Sequence, residues 1–321
     1  MTARPQIAGA LHAAWGYARS SRAELNATQD AALRRLALHA YEQVRYFRRL
    51  FDRHRLLPRH LRGVIDLDLV PVTERDELVL QRESDLLARG VEVADLVTVP
   101  LGEEPGAPRL RRSRLEDLLH LIQRTRALST LGLLGRDRIA VLSSPDGSER
   151  SGFALHLLGL HRRRQFDPAA EPRATAEAMA DFRPDVIIGS SAALARVAEV
   201  AAALRPRLVV VEGRPPMPRL RTRLATAFQS TVRAAYGIGG GTVLATECPT
   251  TGAYHVAEGW ALVEVLADGR SARPGERGEV AVTLLHSFAM PVLRLRLGHL
   301  ATRGELCACG APSGTILTPD V

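Results

Sequence analysis

The sequence predicts an α/β protein with layered sheets and a β-rich distal part. Three short apolar runs predict buried strands: residues 138–142, 185–188 and 208–211. Helical patterns lie between them, over residues 172–182 and 192–204. Continuous apolar strands that alternate with helices are typical of a sheet covered on both faces. After Tyr236 the helical patterns end, and residues 260–265 and 279–284 predict strands joined by glycine-containing turns.

The N-terminal part of the chain predicts a helical arm. Apolar residues recur every three or four positions over residues 20–57, which indicates a helix that ends at Pro58. A further helix is expected over residues 113–132, since Ser113 and Glu116 have the spacing of a capping box. We therefore treat the chain as a single domain made of three segments: a helical arm (1–92), α/β layers (93–235) and a β-rich part (236–321).

The composition limits the classes of partner. The formal net charge is +8, and all 43 basic residues are arginine. The arginines are dispersed and aromatic residues make up only 4% of the chain, so nucleic acid is not an expected partner. The denser arginine clusters indicate either a solvated face or a surface that attracts an acidic partner, such as a phosphorylated ligand or an acidic carrier protein. No apolar run is long enough to span a membrane, no signal peptide begins the chain, and the cysteine count is odd, so we expect a cytoplasmic protein.

All three cysteines of the chain fall in two short clusters with one histidine. Cys248 and His255 form a C-x6-H pair, and Cys307 and Cys309 form a C-x-C pair. Three thiolates and an imidazole are a usual ligand set for structural zinc, which holds loops together because it has no open coordination position. The sequence therefore predicts a structural zinc site at these four residues. The alternative from spacing alone is three free thiols and a surface histidine.

Seven segments, in the order in which they occur along the chain, indicate a family resemblance when they are taken together. They are YEQVRYFRRLF (41–51), LDLVPVTERDEL (67–78), DVIIGSSAAL (185–194), VVEGRPP (210–216), AAYGIGGGTVLATEC (234–248), GERGEVAVTLLHSFAMPVLRLRLGH (275–299) and CACG (307–310). This set resembles the phenylacetate–CoA ligases and coenzyme F390 synthetases of the adenylate-forming superfamily. The resemblance covers nearly the whole chain. It implies the large N-terminal domain of that fold, and it supports the zinc site.

Ligases of this family use ATP to activate a carboxylate as an acyl-adenylate, and then transfer the acyl group to CoA or an amine. The resemblance implies a phosphate-binding loop at residues 101–108, but Glu103 and Glu104 occupy its middle. At ~4 Å and an effective dielectric of ~20, each contact between like charges costs about 4 kcal/mol before screening. Pro105 also lacks a backbone N–H donor. Binding of ATP and magnesium is therefore not expected.

Other positions of the family's motifs also depart from the pattern. The Y-G-x-[ST]-E turn retains Tyr236 and Gly237, which would line a remnant nucleotide site, but Gly240 replaces the glutamate that helps hold magnesium. His299 replaces the aspartate that binds the ribose, and the G-A-E-P loop reads Gly-Arg-Pro at residues 213–215. The sequence ends where the family's small C-terminal domain begins. That domain supplies a catalytic lysine, and none of the 321 residues is lysine.

We therefore predict a zinc-stabilised pseudo-ligase that has lost ATP-dependent adenylation. It is expected to bind a small acyl or aryl ligand, or an acidic carrier or partner protein, in a biosynthetic pathway. One alternative is an enzyme with different chemistry in the same cleft, with His299 and His156 as candidate general bases because histidine titrates near neutrality. The other is an acyl or aryl ligase that a separate, lysine-bearing C-terminal subunit completes.

Overall fold

The computed structural model describes residues 20–102, 108–143, 162–201, 203–239 and 241–320. The chain divides into two compact units. The first unit contains residues 1–119 and 253–319, and the second contains residues 120–252. Both units mix helices or turns with strands, so the predicted α/β class is confirmed. The division into three sequence segments stays a prediction.

The helices of the described residues follow the predicted order. They are α1 (Arg22–Gln43), α2 (Arg45–Arg53), α3 (Arg75–Val79), α4 (Glu83–Leu86), α5 (Arg114–Ser129), α6 (Pro172–Phe182), α7 (Ser191–Ala198) and α8 (Pro218–Phe228). The capping box predicted before α5 is confirmed: Ser113 Oγ accepts from the Glu116 amide at 3.2 Å, and Glu116 Oε2 accepts from the Ser113 amide at 2.7 Å. These two bonds satisfy amides that the first turn of a helix leaves open.

The helix predicted over residues 20–57 is divided into α1 and α2. Val44 lies between them with extended backbone angles of −116° and 116°, and its side chain is buried. A β-branched residue fits extended backbone well. The apolar spacing is nearly continuous across Val44, so periodicity alone does not reveal the change of direction.

The strands include the predicted apolar runs and extend several of them. They are β1 (Leu96–Pro100), β2 (Arg109–Ser113), β3 (Ile139–Leu142), β4 (Arg163–Phe166), β5 (Val186–Gly189), β6 (Leu208–Gly213), β7 (Thr231–Gly237), β8 (Val243–Glu247), β9 (Tyr254–Val256), β10 (Ala261–Ala267), β11 (Arg270–Ser271), β12 (Arg277–Leu284), β13 (Leu295–Arg303) and β14 (Thr315–Asp320).

The second unit has a largely parallel sheet in the order β8-β7-β6-β5-β3-β4. The pairs from β7 to β4 are parallel, and β7 and β8 are antiparallel. The helices α6, α7 and α8 connect β4, β5, β6 and β7, as parallel neighbours require. Apolar strand residues such as Val186, Ile188 and Val210 pack with Leu128 of α5 in the core. The buried apolar strands were predicted from the sequence and are confirmed.

The first unit has strands in the order β11-β10-β12-β13-β14-β9, and the pairs β10–β11, β10–β12, β12–β13 and β9–β14 are antiparallel. The strands β1 and β2 form a separate antiparallel pair. Trp260, which precedes β10, is completely buried, and Phe47 and Phe51 of α2 are buried as well. This arrangement confirms that the distal part of the chain is β-rich.

Candidate functional site

The four residues of the predicted metal site lie together. One potential ligand atom from each of Cys248, His255, Cys307 and Cys309 lies within 4.8 Å of the corresponding atoms of the other three. Cys309 Sγ is 3.2 Å from His255 Nε2. In a tetrahedral site with Zn–S distances of about 2.3 Å, neighbouring ligand atoms lie ~3.8 Å apart. The donor set and its spacing therefore fit a metal ion.

Two tight turns position the cysteines. The Gly252 amide donates to the Cys248 carbonyl oxygen at 3.0 Å, and the Gly310 amide donates to the Cys307 carbonyl oxygen at 3.0 Å. Gly252 and Gly310 have φ angles of 75° and 82°, which glycine adopts without the penalty of a Cβ atom. The second turn places the sulfur atoms of the C-x-C pair on a short, constrained segment.

A hydrogen bond orients the histidine of the cluster. His255 lies on β9 opposite Thr315 of β14, and its Nδ1 atom is 2.9 Å from Ser313 Oγ. If Nδ1 donates to Ser313, the lone pair of Nε2 faces the cysteine sulfur atoms as a ligand. Such outer contacts of a ligating histidine fix its tautomer and ring orientation. Ser313 belongs to the arrangement, although the cysteine and histidine pattern gives no signal for it.

The segments that match the family's nucleotide-binding motifs meet at one end of the parallel strands. Gly213 pairs in register with Tyr236, so the Gly-Arg-Pro segment after β6 lies beside the Tyr-Gly turn at the end of β7. Ser191, after β5, donates to the Arg214 carbonyl oxygen at 3.4 Å. The carboxyl ends of parallel strands are the usual ligand-binding edge of an open α/β sheet. The structure thus brings together segments that are far apart in the sequence.

Tyr236 has no exposed surface in this position. Burial raises the pKa of Tyr236 well above its ordinary value, and the nearby Arg214 guanidinium opposes that shift. Gly237 is equally constrained, since a Cβ atom there would lie 2.4 Å from the Thr242 carbonyl oxygen. The packing around Tyr236 and the lack of space for a Cβ atom at Gly237 therefore favour these two residue types, whether or not a nucleotide binds.

A partly buried ion pair joins α5 to β6. The Arg124 guanidinium of α5 donates from Nη2 to Glu212 Oε2 at 2.5 Å, and Nε donates to Oε1. Burial lowers the pKa of Arg124, but the Glu212 carboxylate more than compensates and the net shift is upward. Gly241 allows this approach, because a Cβ atom there would lie 3.2 Å from Arg124 Cδ. The resemblance gave no role to Arg124 or Glu212.

His299 lies at an irregular position of β13. Glu279 pairs with Leu300 and Ala281 with Arg296, so three residues of β13 face one residue of β12. Gly298 has a φ angle of 69° at this bulge, and His299 beside it is largely buried. Bulges of this kind redirect the side chains next to them. The other candidate base, His156, lies outside the described residues, as do Glu103, Glu104, Pro105 and Gly240.

The arginine at the start of the same motif has a structural role. Arg294 is almost fully buried and forms a two-point ion pair with Glu264, at 3.0 Å from Nε and 2.9 Å from Nη2. Its Nη1 atom also donates to the carbonyl oxygens of Asp68 and Val70. Arg294 and Glu264 are thirty positions apart, and sequence spacing did not reveal their pairing.

No family model matches the sequence. The phenylacetate–coenzyme A ligase of Escherichia coli K12 is 25% identical over 302 residues, which cover 86% of this chain and 67% of the relative. That of Thermus thermophilus is 39% identical over 57 residues, or 18% of this chain and 13% of the relative. The chain thus spans about two thirds of the length of the E. coli enzyme.

The fold also matches solved structures. A 2-hydroxyisobutyryl-CoA ligase in complex with 2-HIB-AMP has a TM-score of 0.78 and 16% identity, and the match covers 92% of this chain and 67% of that one. An acyl-CoA synthetase of Brucella canis has a TM-score of 0.53 and 17% identity, with 71% of this chain and 45% of that one covered. These likenesses establish the fold.

The fold and the motif order place the chain in the adenylate-forming superfamily. Within that superfamily, the sequence is homologous to phenylacetate–CoA ligase, as the motifs predicted. The description of the chain as the N-terminal part of this fold is confirmed as well. No described helix combines the length and the apolar character that a bilayer-spanning segment needs.

Proposed function

We propose that this protein is a ligase-like protein that does not carry out ATP-dependent adenylation. It keeps the adenylate-forming fold and holds a structural zinc ion at Cys248, His255, Cys307 and Cys309. It binds a small acyl or aryl ligand, or an acidic carrier or partner protein, in place of turning over ATP. The observation that carries the proposal is the complete burial of Tyr236, which leaves no ring surface open to an adenine.

The chemistry of the matched motif positions supports the same proposal. An imidazole at His299 can accept one hydrogen bond from a ribose diol, whereas a carboxylate accepts from both hydroxyls. Gly240 offers no carboxylate to magnesium, and the Gly-Arg-Pro segment at residues 213–215 lacks the acid that the resemblance implies. Glu103 and Glu104 add two negative charges to the segment that matches the phosphate loop. Each change weakens a different part of nucleotide binding, so their effects combine.

The ligand chemistry of the cluster supports zinc as the metal. Thiolate and imidazole ligands favour zinc over magnesium or calcium, which prefer oxygen ligands. Four protein ligands complete a tetrahedral shell, so the ion would organise the turns at Cys248 and Cys307 and take no part in a reaction. The His255–Ser313 contact supports this structural role, because it orients the ring towards the cysteine sulfur atoms.

Nucleotide binding tests the proposal directly. The purified protein is titrated with ATP and magnesium by calorimetry, and its thermal unfolding is measured with and without nucleotide. A ligand at a hundred times its dissociation constant stabilises the folded state by ~2.7 kcal/mol. We expect no heat of binding and no shift, together with no pyrophosphate exchange across a panel of aryl and acyl acids. The E. coli phenylacetate–CoA ligase serves as the positive control.

A paired variant sharpens the result. The variant that restores the acids (His299→Asp and Gly240→Glu) and replaces Glu103 and Glu104 by serine and threonine tests the charges separately from the burial of Tyr236. Because Tyr236 stays buried in it, we expect the variant still to bind no ATP; measurable binding would contradict the role given to that burial. If the unmodified protein already binds one ATP per chain, the proposal is wrong. In that case the alternative of a ligase completed by a separate lysine-bearing polypeptide takes its place.

A further inference from the structure

The amino ends of the parallel strands in the second unit carry a row of arginines. Strands β4, β3, β5 and β6 are neighbours, and their first residues pair in register: Arg163, Ile139, Val186 and Leu208. The residues directly before these strands therefore lie side by side across the sheet. Before three of the four strands this residue is an arginine: Arg162, Arg138 and Arg207. These positions are far apart in the sequence, and the parallel pairing brings them together.

The segments that lead into these strands add further charges. We call residues 136–138, 162, 181–185 and 205–207 the amino-end surface. It contains six arginines and three aspartates, so it has an excess of three positive charges. Five of the arginines are exposed: Arg136, Arg162, Arg183, Arg205 and Arg207. The charge is thus concentrated at one end of one sheet and is open to solvent.

The protein's own donors already engage two of the three aspartates. Asp137 is buried, and its carboxylate accepts from the Leu134 amide at 2.6 Å and from Arg207 Nε at 3.2 Å. Asp185 Oδ2 accepts from the Arg138 amide at 2.8 Å. These bonds neutralise Arg207 and direct the Asp185 carboxylate to the main chain. The side chains of the other arginines are therefore left without a carboxylate from this surface.

The guanidinium groups of this surface are available to an anionic partner. In the described ranges no carboxylate forms an ion pair with five of them: Arg136, Arg138, Arg162, Arg183 and Arg205. The guanidinium carbon of Arg138 lies 4.9 Å from the centroid of the Phe182 ring. A guanidinium that is stacked on a ring loses less freedom when its N–H groups bind a carboxylate. Arg138 is therefore preorganised at the centre of the row.

The surface suits the carboxylates of a protein better than the phosphates of a nucleic acid. Asp181 and Asp185 interrupt the positive charge, and they would repel a continuous phosphate backbone. Arg138 already occupies a face of the Phe182 ring, which a base would need for stacking. Leu134 is 40% exposed and offers an apolar contact next to Asp137. Arginines beside an exposed apolar residue are typical of protein interfaces.

We propose that the amino-end surface binds an acidic segment of a partner protein, whose carboxylates pair with Arg138 and Arg162 and whose apolar side chains contact Leu134. The proposal rests on the acidic partner named under the proposed function, and it gives that partner a place on the molecule. The Tyr236 turn lies at the carboxyl end of the parallel strands. A partner at the amino end therefore leaves that end open, and its binding does not depend on whether ATP binds.

Fluorescence anisotropy with defined peptides tests this surface in the purified full chain. The probe is a labelled peptide rich in glutamate with interspersed leucines, and the control probe has every glutamate replaced by glutamine. We expect the acidic peptide to bind at least about tenfold more tightly, a difference of about 1.4 kcal/mol. The difference should shrink as the salt concentration rises, since salt screens exposed charges.

A double variant removes two charges from the row without removing its main-chain bonds. In Arg138→Gln with Arg162→Gln, the Asp185 amide can still donate to the carbonyl oxygen of residue 138, and the Ile139 amide to that of residue 162; these bonds are 2.8 and 2.7 Å long. The variant should therefore fold, which circular dichroism and the melting temperature check. We expect it to bind the acidic peptide about tenfold more weakly.

A matched control variant removes the same charge from the other end of the strands. Arg173 and Arg219 are exposed and lie in the first turns of α6 and α8, which follow β4 and β6. Arg173→Gln with Arg219→Gln should leave binding of the acidic peptide nearly unchanged. Equal weakening by both double variants would mean that net charge alone attracts the peptide, and it would overturn the proposal.

Further outcomes separate this proposal from its alternatives. A single-stranded RNA of equal charge that binds more tightly than the peptide, and that Arg138→Gln with Arg162→Gln weakens, would overturn the choice of a protein partner. Absence of peptide binding to the folded protein would overturn the proposal as well. A protein that binds ATP and still shows the expected peptide binding would refute the loss of adenylation while leaving the amino-end surface in place.

Discussion

Stability below neutral pH should depend on the single side chain of His286. This residue is 4% exposed and its ring centroid is 4.7 Å from that of the Trp260 indole. Burial lowers the pKa of His286 from 6.5 to about 4, and the bond to Gly259 only partly opposes that shift. The change to test is His286→Gln, since the glutamine amide can still donate to the Gly259 carbonyl oxygen.

The sign and size of the effect follow from proton linkage. Between pH 6.5 and about 4, the unfolded chain binds a proton at His286 that the folded chain does not. The stability contribution of the neutral ring is therefore complete above about pH 6.5 and is lost as the pH falls towards 4. A shift of one pKa unit corresponds to about 1.4 kcal/mol, so the loss is about 3 kcal/mol in total.

Urea unfolding at several values between pH 7.5 and 4 measures this contribution. In a Trp15→Phe background, the fluorescence of Trp260 follows the packing around residue 286 itself, and circular dichroism follows the whole chain. Other titrating groups affect both proteins equally and cancel in the difference. We expect the unmodified protein to lose about 3 kcal/mol more than His286→Gln across this interval.

Equal pH dependence of the two proteins would refute the reasoning. So would a direct NMR titration of His286 with an unshifted midpoint in the folded state. A lower stability of His286→Gln at pH 7.5 would not matter to the test, because the prediction concerns the change with pH.

Other changes give separate expected outcomes. Glu264→Gln should lower the free energy of unfolding by about 3–5 kcal/mol, because it leaves Arg294 buried without its counter-charge. Combining Glu264→Gln with Arg294→Met should recover most of this loss, which a double-mutant cycle by urea unfolding measures. We expect elemental analysis to find about one zinc per chain in the unmodified protein. Cys307→Ala should remove this metal and lower the melting temperature. An unchanged metal content would contradict the proposed ligand set. Gly237→Ala should destabilise the β7–β8 hairpin, since its Cβ atom would lie 2.4 Å from the Thr242 carbonyl oxygen. A melting temperature within 1 °C of that of the unmodified protein, which corresponds to a loss of free energy of about 0.5 kcal/mol or less, would argue against this contact.

Local patterns in the sequence predicted much of the fold. The buried strands β3, β5 and β6 and the helix α6 follow from runs and periodicities of a few residues. The capping box at Ser113 is also local, because its two partners are three positions apart. The break at Val44 was not predicted, since the apolar spacing continues through it while the backbone becomes extended.

The same local patterns predicted only part of the candidate site. The candidate metal ligands could be predicted because cysteine is rare in this sequence: the chain has only three cysteines, and all of them lie in two clusters. Motif order indicated the Tyr236 turn and the superfamily. Ser313, Arg124 and Glu212 carry no such signal, since serine, arginine and glutamate are common and their partners lie far away in the chain.

The sequence by itself determined the strand and helix types, the superfamily and the kinds of atom that can hold a metal. Only the tertiary structure decided which groups meet: Cys309 with His255, Arg294 with Glu264, and Arg138 with Phe182 at the amino end of the parallel strands. The physical reason is the distance along the chain over which each kind of interaction acts. Backbone preferences and capping act over three or four residues, whereas ion pairs, ligand shells and cavities depend on distances between residues that are tens to hundreds of positions apart. Those distances are fixed only when the whole core packs.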